Sequence, residues 1–169
     1  MSTKEKLAYA LAQYAHEGQK YGEHDYFHYH VRGVAENFSP EHGGIADTSK
    51  NVALWTCSVC GVPLSTTLAD EPCSKYDSDA YIVALLYDVV EDSDIDMSVI
   101  FDLFGKKIGF AIMNITRYPD QEYDEYIEEM GDHLAIKVKI ADLKFNLNQP
   151  NPRNVERYTK ALEILENKQ

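Results

Sequence analysis

Two aspartates lie inside segments that are otherwise strongly apolar: Asp88 is in VALLYDVV and Asp142 is in VKIADLKF. Burying an ionised carboxylate costs free energy unless a cation or hydrogen-bond donors compensate its charge. Two interpretations are open at this point. Either the aspartates form structural ion pairs, for which Lys139 and Arg117 are candidate partners, or they belong to a metal site.

The neighbours of the two aspartates favour the metal site. Glu91 and Asp92 follow Asp88 at helical spacings of three and four residues, so the three acids share one helix face. The other segment carries Lys139 and Asn146 at the same spacings around its aspartate. Acids that face one another repel unless a cation lies between them, and oxygen ligands with one imidazole suit Mg²⁺ or Mn²⁺ better than Zn²⁺. Such an ion activates bound water and binds phosphate oxygens.

One histidine stands out as a candidate for that imidazole. His30 follows the aromatic segment DYFHYH and begins a predicted amphipathic helix. We interpret His24, His28 and His42 as surface or capping residues.

Apolar periodicity predicts an all-α fold class. The first helix carries an apolar stripe and ends near Gly18. The segments YIVALLYDVV and DHLAIKVKIADLKFNLN are apolar nearly all round, so we expect both helices to be central and buried. Further helices are predicted at 27–38, 97–104, 106–116 and 122–130. A last amphipathic helix carries Val155, Tyr158, Leu162 and Leu165.

The segment 39–76 differs from the rest of the chain, because it is rich in Gly, Pro, Ser and Thr and has no helical period. We predict that it is a small irregular insertion in a single domain spanning 1–169. It contains Cys57 and Cys60 in a C-x2-C-Gly motif, followed by Cys73. Three cysteines with a fourth ligand, either a histidine or an acid of the insertion, predict a structural zinc site. The alternative is three free buried thiols.

Composition limits the partners of the chain. The formal net charge is −12, with 28 acidic against 16 basic residues, which argues against a broad nucleic-acid-binding surface. A small anionic molecule is compatible with this charge, because a metal ion inverts the local potential. No apolar run has the length of a membrane span. An odd number of cysteines and no export signal predict a cytoplasmic protein. The oligomeric state is left open.

Several segments, taken in order, resemble those of RelA/SpoT-type small alarmone hydrolases of the HD superfamily. These segments are HEGQKYGEHDYFHYHVRGVA, ALLYDVVEDSDI, FGKKIGFAIMNITR and VKIADLKFNL, with ERYTKALEIL at the end. The resemblance covers about residues 5–38 and 77–166. It implies an HD-type helical bundle and hydrolysis of the 3′-pyrophosphate of guanosine tetra- or pentaphosphate.

The resemblance also implies a metal site. The metal in the family is typically manganese, held by two histidines and two aspartates. The matching positions are His30, Asp88 and Asp142, while the second histidine of the pattern falls on Tyr87. A phenol has a pKa near 10 and is a poor ligand at neutral pH. Two outcomes are open: either manganese or magnesium is held by His30, Asp88 and Asp142 with water, at weakened affinity, or Tyr87 hydrogen-bonds to a carboxylate and the ion is lost. We expect the first, because the acids still repel one another.

Roles in catalysis and substrate binding follow from the same resemblance. Glu91 and Asp92 match the pair that orients or deprotonates the attacking water. The candidates for substrate contact are Gln19, Tyr21, Lys139 and Asn146. Tyr21 and Gly22 replace the Arg-Lys pair of the family, so a tyrosine takes the place of an arginine that would stack on a purine.

Three functions are consistent with these features. The first is a metal-dependent phosphohydrolase or pyrophosphohydrolase acting on an alarmone-like nucleotide. The second is a degenerate HD domain that binds a nucleotide or a partner without turnover, which Tyr87 favours. The third is another HD nucleotide phosphatase, such as a 5′-nucleotidase.

Overall fold

The fold is built from α-helices, as the periodicity predicts. The computed structural model describes residues 1–39 and 76–169 and, between them, the backbone of 44–46, 55–57 and 63–64. The helices are α1 Thr3–Ala15, α2 Arg32–Ala35, α3 Ser78–Leu86, α4 Val89–Asp92, α5 Met97–Phe104, α6 Lys106–Ile115, α7 Tyr123–Glu129, α8 His133–Leu147 and α9 Val155–Glu166. Within the described residues, no helix is long and apolar enough to cross a membrane.

The two helices predicted to be central form the core. Helix α3 packs against α1, α2, α6 and α8, and α8 also packs against α2, α6 and α9. Every residue of α3 from Ala80 onward is buried, because neighbouring helices surround it. Gly33 of α2 lies directly against the ring of Phe145 on α8, where a Cβ atom would overlap the ring. This close approach brings the chain around α2 against the second half of α8.

Local capping sets where several helices begin. Ser2 and Glu5 form a capping box at α1, in which each side chain bonds to the backbone N–H of the other residue. The Asp77 carboxylate accepts from a backbone N–H of α3, and Asp132 accepts from two backbone N–H groups of α8. The start of each helix is thus encoded by nearby residues.

The helix predicted at 27–38 is not a regular α-helix. It begins as a π-helical turn at Phe27–Val31, continues as α2 and ends as a 3-10 turn at Glu36–Phe38. His30 lies in the π-helical turn and is buried. Such turns change the direction in which side chains leave a helix and are frequent at functional sites.

The helix predicted through ALLYDVVED is interrupted. Helix α3 ends at Leu86, Tyr87 and Asp88 form a turn, and α4 begins at Val89. The expectation of one continuous helix is therefore wrong at this point. The turn keeps right-handed backbone angles, and the N–H of Asp92 donates to the carbonyl oxygen of Asp88 at 2.9 Å.

A short β-ribbon precedes the π-helical turn and was not predicted. Strand β1 (Lys20–Tyr21) pairs antiparallel with β2 (His24–Asp25) across a two-residue loop. Gly22 begins this loop with a φ of 61°, a conformation that favours glycine and occurs in tight hairpin turns. The ribbon turns Tyr21 back toward α8.

The insertion contains a small sheet of three antiparallel strands: β3 (Gly44–Ala46), β4 (Trp55–Cys57) and β5 (Pro63–Leu64), with β4 in the middle. The backbone of Cys57 belongs to β4. Cys60 and Cys73 lie outside the described residues, so the zinc site stays a prediction from the sequence.

Candidate functional site

Three parts of the chain meet at the centre of the candidate site. The π-helical turn contributes His30, the turn after α3 contributes Tyr87 and Asp88, and α8 contributes Asp142. His30, Tyr87 and Asp142 are buried, with exposed fractions of 4%, 3% and 5%. The predicted candidates from distant segments are therefore neighbours in the structure.

Tyr87 bonds directly to the other two buried residues. Its hydroxyl oxygen lies 2.7 Å from Nε2 of His30 and 3.4 Å from Oδ1 of Asp142. The same Nε2 atom lies 3.2 Å from Oδ1 of Asp142. Burial, and after it the charge of Asp142, raise the pKa of Tyr87 well above its usual value, so the phenol is neutral.

Asp142 has a second set of partners along α8. Lys139 Nζ donates to its Oδ2 at 2.9 Å, and Asn146 Nδ2 donates to its Oδ1 at 2.7 Å. Burial alone would raise the pKa of Asp142, but Lys139 and His30 outweigh burial and hold it below its usual range. The ion-pair interpretation is thus correct for Lys139 and Asp142, and Asp142 is ionised.

Asp88 is partly exposed and has a different environment. Its Oδ2 accepts a hydrogen bond of 2.5 Å from the Tyr26 hydroxyl. Burial, and then repulsion from Asp142, raise the pKa of Asp88 to about 7. Two carboxyl groups close enough to repel are the arrangement that a cation relieves.

The polar atoms of Tyr87, His30 and Asp142 lie within hydrogen-bond or ion-pair distance of one another, at 2.7, 3.2 and 3.4 Å. Within the described residues, no group of three or more His, Cys, Asp and Glu side chains has metal-binding geometry.

The acids of α4 lie at the rim of this centre. Glu91 and Asp92 are both exposed. Gln19 Nε2 donates to Oδ2 of Asp92 at 2.9 Å, and Gln19 Oε1 lies 2.7 Å from Nδ1 of the buried His16. Because the amide oxygen can only accept, Nδ1 of His16 carries the proton in this bond. Gln19, predicted to contact substrate, thus uses both ends of its amide within the protein.

Tyr21 links the β-ribbon to the buried centre. Its ring stacks on His30, with 4.9 Å between the ring centroids and 8° between the planes. Its hydroxyl donates to Oδ1 of Asn146 at 2.8 Å, and the same Asn146 supports Asp142. These contacts bring together the two substrate-contact candidates Tyr21 and Asn146.

Next to Tyr21 lies a cavity of ≈ 480 Å³, which we call the amide cavity because four of its lining residues are Asn or Gln. Its lining includes Tyr21, Asn146, Gln149, Asn151, Arg153 and Tyr158. Sequence reasoning missed the last four as site residues. The polar segment NQPNPRN between two predicted helices is a signal that could have found Gln149, Asn151 and Arg153, because such loops carry binding residues. Tyr158 lies in α9, outside this segment.

A second cavity of ≈ 320 Å³ contains three cationic side chains, and we call it the cationic cavity. Its charged lining residues are Glu91, Arg117, Glu122, Lys139 and Arg157. Tyr158 lines both cavities. Lys139 from one cavity and Asn146 from the other both bond to Asp142, so the two cavities flank the buried centre.

The fold is of the HD type and is shared with a known hydrolase. A solved structure with a TM-score of 0.63 and 19% sequence identity covers 99% of this chain and 86% of its own. It is described as a metazoan ortholog of SpoT that hydrolyses ppGpp and plays a role in starvation responses. No protein-family model and no curated protein sequence matches the chain. At this identity the likeness shows a common fold.

Proposed function

We propose that this protein is a metal-dependent nucleotide phosphohydrolase that removes the 3′-pyrophosphate from a guanosine-polyphosphate-like alarmone. The observation that carries the proposal is the buried centre of His30, Tyr87 and Asp142, flanked by an amide cavity and a cationic cavity. Both cavities offer cations to an anionic nucleotide, Lys20 and Arg153 in the first and Arg117, Lys139 and Arg157 in the second. The fold shared with a ppGpp hydrolase supports the same substrate class.

In this proposal a manganese or magnesium ion is held by His30, Asp88 and Asp142, with the Tyr87 oxygen as a weak neutral fourth ligand. A bound divalent ion would supply an activated water and a contact to phosphate oxygens. Asn146 and Lys139 keep Asp142 oriented and ionised, since each donates to one of its oxygens.

The acids of α4 are the proposed proton acceptors. Hydrolysis adds water to the phosphorus that is bonded to the 3′ oxygen, and the bond between this phosphorus and the 3′ oxygen breaks. A carboxylate accepts one proton of the water and passes it to the 3′ oxygen, which leaves as a hydroxyl group. Asp92 is suited to this role because it is exposed and Gln19 restricts its orientation. Glu91 lines the cationic cavity and is the other candidate.

The amide cavity has the donors and acceptors for a nucleoside. Asn146 and Gln149 already use both ends of their amides within the protein: Asn146 accepts from Tyr21 and donates to Asp142, and Gln149 accepts from Tyr29 and donates to the carbonyl oxygen of Phe145. Asn151 is the amide of this lining that we propose to bond the edge of a purine. Tyr21 and Tyr158 provide aromatic rings where the family has an arginine for stacking. We propose that Tyr21 replaces that arginine.

A second candidate function is nucleotide binding without turnover. The bond between Tyr87 and His30 favours it, because the nitrogen that would bind the metal already has a protein partner. Within the described residues the other ring nitrogen, Nδ1 of His30, has no hydrogen-bond partner that would fix its tautomer. Both features lower the affinity expected for a metal ion.

A nucleotide panel with metal titration tests the two functions. The chain is incubated with Mn²⁺ or Mg²⁺ and guanosine 3′,5′-polyphosphates, GTP, GDP or 5′-monophosphates, and products are separated. We expect pyrophosphate release from the 3′-polyphosphates. Asp142→Asn should lose this turnover, and the surface control Tyr14→Phe should keep it. Orthophosphate release from 5′-monophosphates would instead indicate another HD phosphatase. Nucleotide binding with no turnover at any metal concentration would establish the second candidate.

A further inference from the structure

One buried histidine has no part in the proposed chemistry. His16 follows the last residue of α1 and is 1% exposed. Its Nε2 atom is buried and has no hydrogen-bond partner within the described residues. The hydrogen bond that the structure gives this ring joins Nδ1 to the side-chain oxygen of Gln19 at 2.7 Å.

Packing alone does not account for a histidine at this position. An unpaired buried nitrogen costs free energy, whereas an apolar side chain of similar size would fill the space without that cost. The ring of His16 packs against the ring of Tyr26, with 5.0 Å between the centroids, and an apolar side chain could make the same contact. What an apolar side chain cannot supply is the N–H group that faces Gln19.

The proton on Nδ1 of His16 fixes which way the Gln19 amide points. A carboxylate accepts hydrogen bonds, so the amide nitrogen of Gln19 must face Asp92, which it does at 2.9 Å. The amide oxygen then faces His16. An amide turned by 180° would place two donors face to face at His16 and two acceptors face to face at Asp92. Both ends therefore enforce the same orientation.

The backbone holds Gln19 at the same point. Its N–H donates to the carbonyl oxygen of His16 at 3.1 Å, and its own carbonyl oxygen accepts from the N–H of Tyr26 at 3.0 Å. The second bond extends the β-ribbon by one step beyond the pair of Lys20 and Asp25. Because the main chain of Gln19 is fixed on both sides, the freedom that is left lies in its side chain, and His16 restricts it.

We infer that His16 is a positioning residue that fixes the Gln19 amide and, through it, the Asp92 carboxylate. This inference rests on the proposed function, in which Asp92 is a proton acceptor. Asp92 is exposed, and an exposed carboxylate samples several rotamers, of which few point toward an attacking water. His16 itself touches no substrate and acts only through Gln19.

A double-mutant cycle with Gln19 tests this chain of bonds in the metal-loaded protein. His16→Leu keeps the side-chain size and removes the N–H, so we expect kcat to fall by about 5-fold with KM unchanged, the effect of one lost hydrogen bond. In the Gln19→Leu background the same change should have no further effect, because the group on which His16 acts is absent. His16→Asn should recover most of the loss, because its amide N–H can take the place of Nδ1–H.

NMR of the metal-free protein measures the positioning without turnover. Nitrogen-15 shifts of the imidazole distinguish the two tautomers, and we expect Nδ1–H for His16. The order parameter of the Gln19 side-chain amide should be high in the unmodified chain and in His16→Asn, and lower in His16→Leu. His28→Leu is the matched control, because His28 is an exposed histidine of the π-helical turn. It should leave the Gln19 signals and kcat unchanged.

The outcomes separate this inference from the proposed function. A Gln19 amide that loosens in His16→Leu but not in His28→Leu supports the inference even where no nucleotide is hydrolysed, which would refute only the hydrolase. An Nε2–H tautomer, or an equally ordered Gln19 amide in His16→Leu, overturns the inference even where nucleotides are hydrolysed. An equal fall in kcat in both backgrounds also overturns it, because His16 would then act by another route.

Thermal unfolding shows which variants are folded. We expect His16→Leu to unfold close to the temperature of the unmodified chain, because the variant loses the unpaired nitrogen together with the hydrogen bond. If His16→Leu does not fold, His16→Asn decides. A folded His16→Asn that keeps the order of the Gln19 amide supports the inference, and one that loses both this order and kcat overturns it.

Discussion

The hydroxyl oxygen of Tyr87 lies 2.7 Å from Nε2 of His30, in the centre where two helices and the π-helical turn meet. Both residues are buried, and the bond joins positions that are 57 residues apart in the sequence. The resemblance in the sequence matches a histidine to the position of Tyr87. Tyr87 contacts Nε2, the atom through which His30 would bind a metal ion.

Replacing Tyr87 by histidine should restore a strong ligand. We expect Tyr87→His to bind Mn²⁺ at least about 10-fold more tightly, since weaker perturbations of metal sites already change affinity by that factor. An imidazole nitrogen binds the ion without losing a proton at neutral pH, whereas a phenol with a raised pKa does not. Metal affinity is measured by calorimetry and turnover in the same buffer.

Tyr14→His controls for the added imidazole, because Tyr14 is 72% exposed. It should bind Mn²⁺ as the unmodified chain does. Equal affinities and equal rates for the unmodified chain and Tyr87→His would show that tyrosine is a competent ligand.

The raised pKa of Asp88 predicts how the metal-free protein responds to pH. With a folded-state pKa of about 7 against an ordinary 3.8, the folded protein retains a proton on Asp88 that the unfolded chain has released. The free energy of unfolding therefore decreases as pH rises from about 4 to about 7. Asp88→Asn cannot ionise, so it avoids this loss. From pH 5 to pH 8 the difference in free energy of unfolding between Asp88→Asn and the unmodified chain should move in favour of the variant by about 2 kcal/mol.

This is measured by urea unfolding in the presence of a chelator at both pH values. Asp94→Asn is a suitable control, because Asp94 is an exposed acid of the next loop. If the difference in stability between Asp88→Asn and the unmodified chain is the same at pH 5 and pH 8, the pKa of Asp88 is not raised in the folded protein.

The helices were predictable because their signals are local. Capping by Asp77 and Asp132 and long apolar segments place α3 and α8 close to where the sequence predicts them. The break at Tyr87 was not predictable, because a segment that is apolar on every face has no period whose interruption could be seen. The turn holds Tyr87 in contact with His30, a contact that only the fold reveals.

The candidate site was predictable in part. His30 and Asp142 were suggested by residue type and by resemblance, and the structure brings them within 3.2 Å. The role of Gln19 could not be deduced, because its partner Asp92 is 73 residues away. The stacking of Arg157 on Tyr123 could not be deduced from the sequence either, because it depends on the packing of α9 against α7.

Gln19 should act as a positioning residue for Asp92. Gln19→Leu removes the amide that donates to the Asp92 carboxylate, while an apolar side chain of similar size keeps the volume filled. We expect kcat to fall by about 10-fold with little change in KM, because the orientation of a proton acceptor matters in the transition state. A change in KM alone would indicate that Gln19 contacts substrate, as the resemblance implies.

The predicted zinc site of the insertion has an elemental test. We expect one zinc ion per chain in protein purified without chelator, and its loss in Cys57→Ser and Cys60→Ser. A structural zinc contributes folding free energy, so a chelator should lower the unfolding temperature. Asp142→Asn, which affects the other proposed metal site, should retain the zinc. Zinc-free protein with an unchanged melting temperature would favour three free thiols.

The pair of Lys139 and Asp142 should be the most sensitive interaction of the buried centre. Lys139→Met keeps most of the side-chain volume but leaves the Asp142 carboxylate without its cation, and Asp142 is 5% exposed. Removing one partner of a buried ion pair costs about 3 to 5 kcal/mol, because the remaining charge is uncompensated. Lys144→Met is the control on the same helix, since Lys144 pairs with Glu166 at the surface and exposed pairs contribute little.

The loss in Lys139→Met should be partly recovered by Mn²⁺, because a bound cation would replace the ammonium charge next to Asp142. Urea unfolding with chelator and with Mn²⁺ measures both effects. A loss that Mn²⁺ does not reduce would show that no cation binds beside Asp142, and the metal-dependent function would then be wrong.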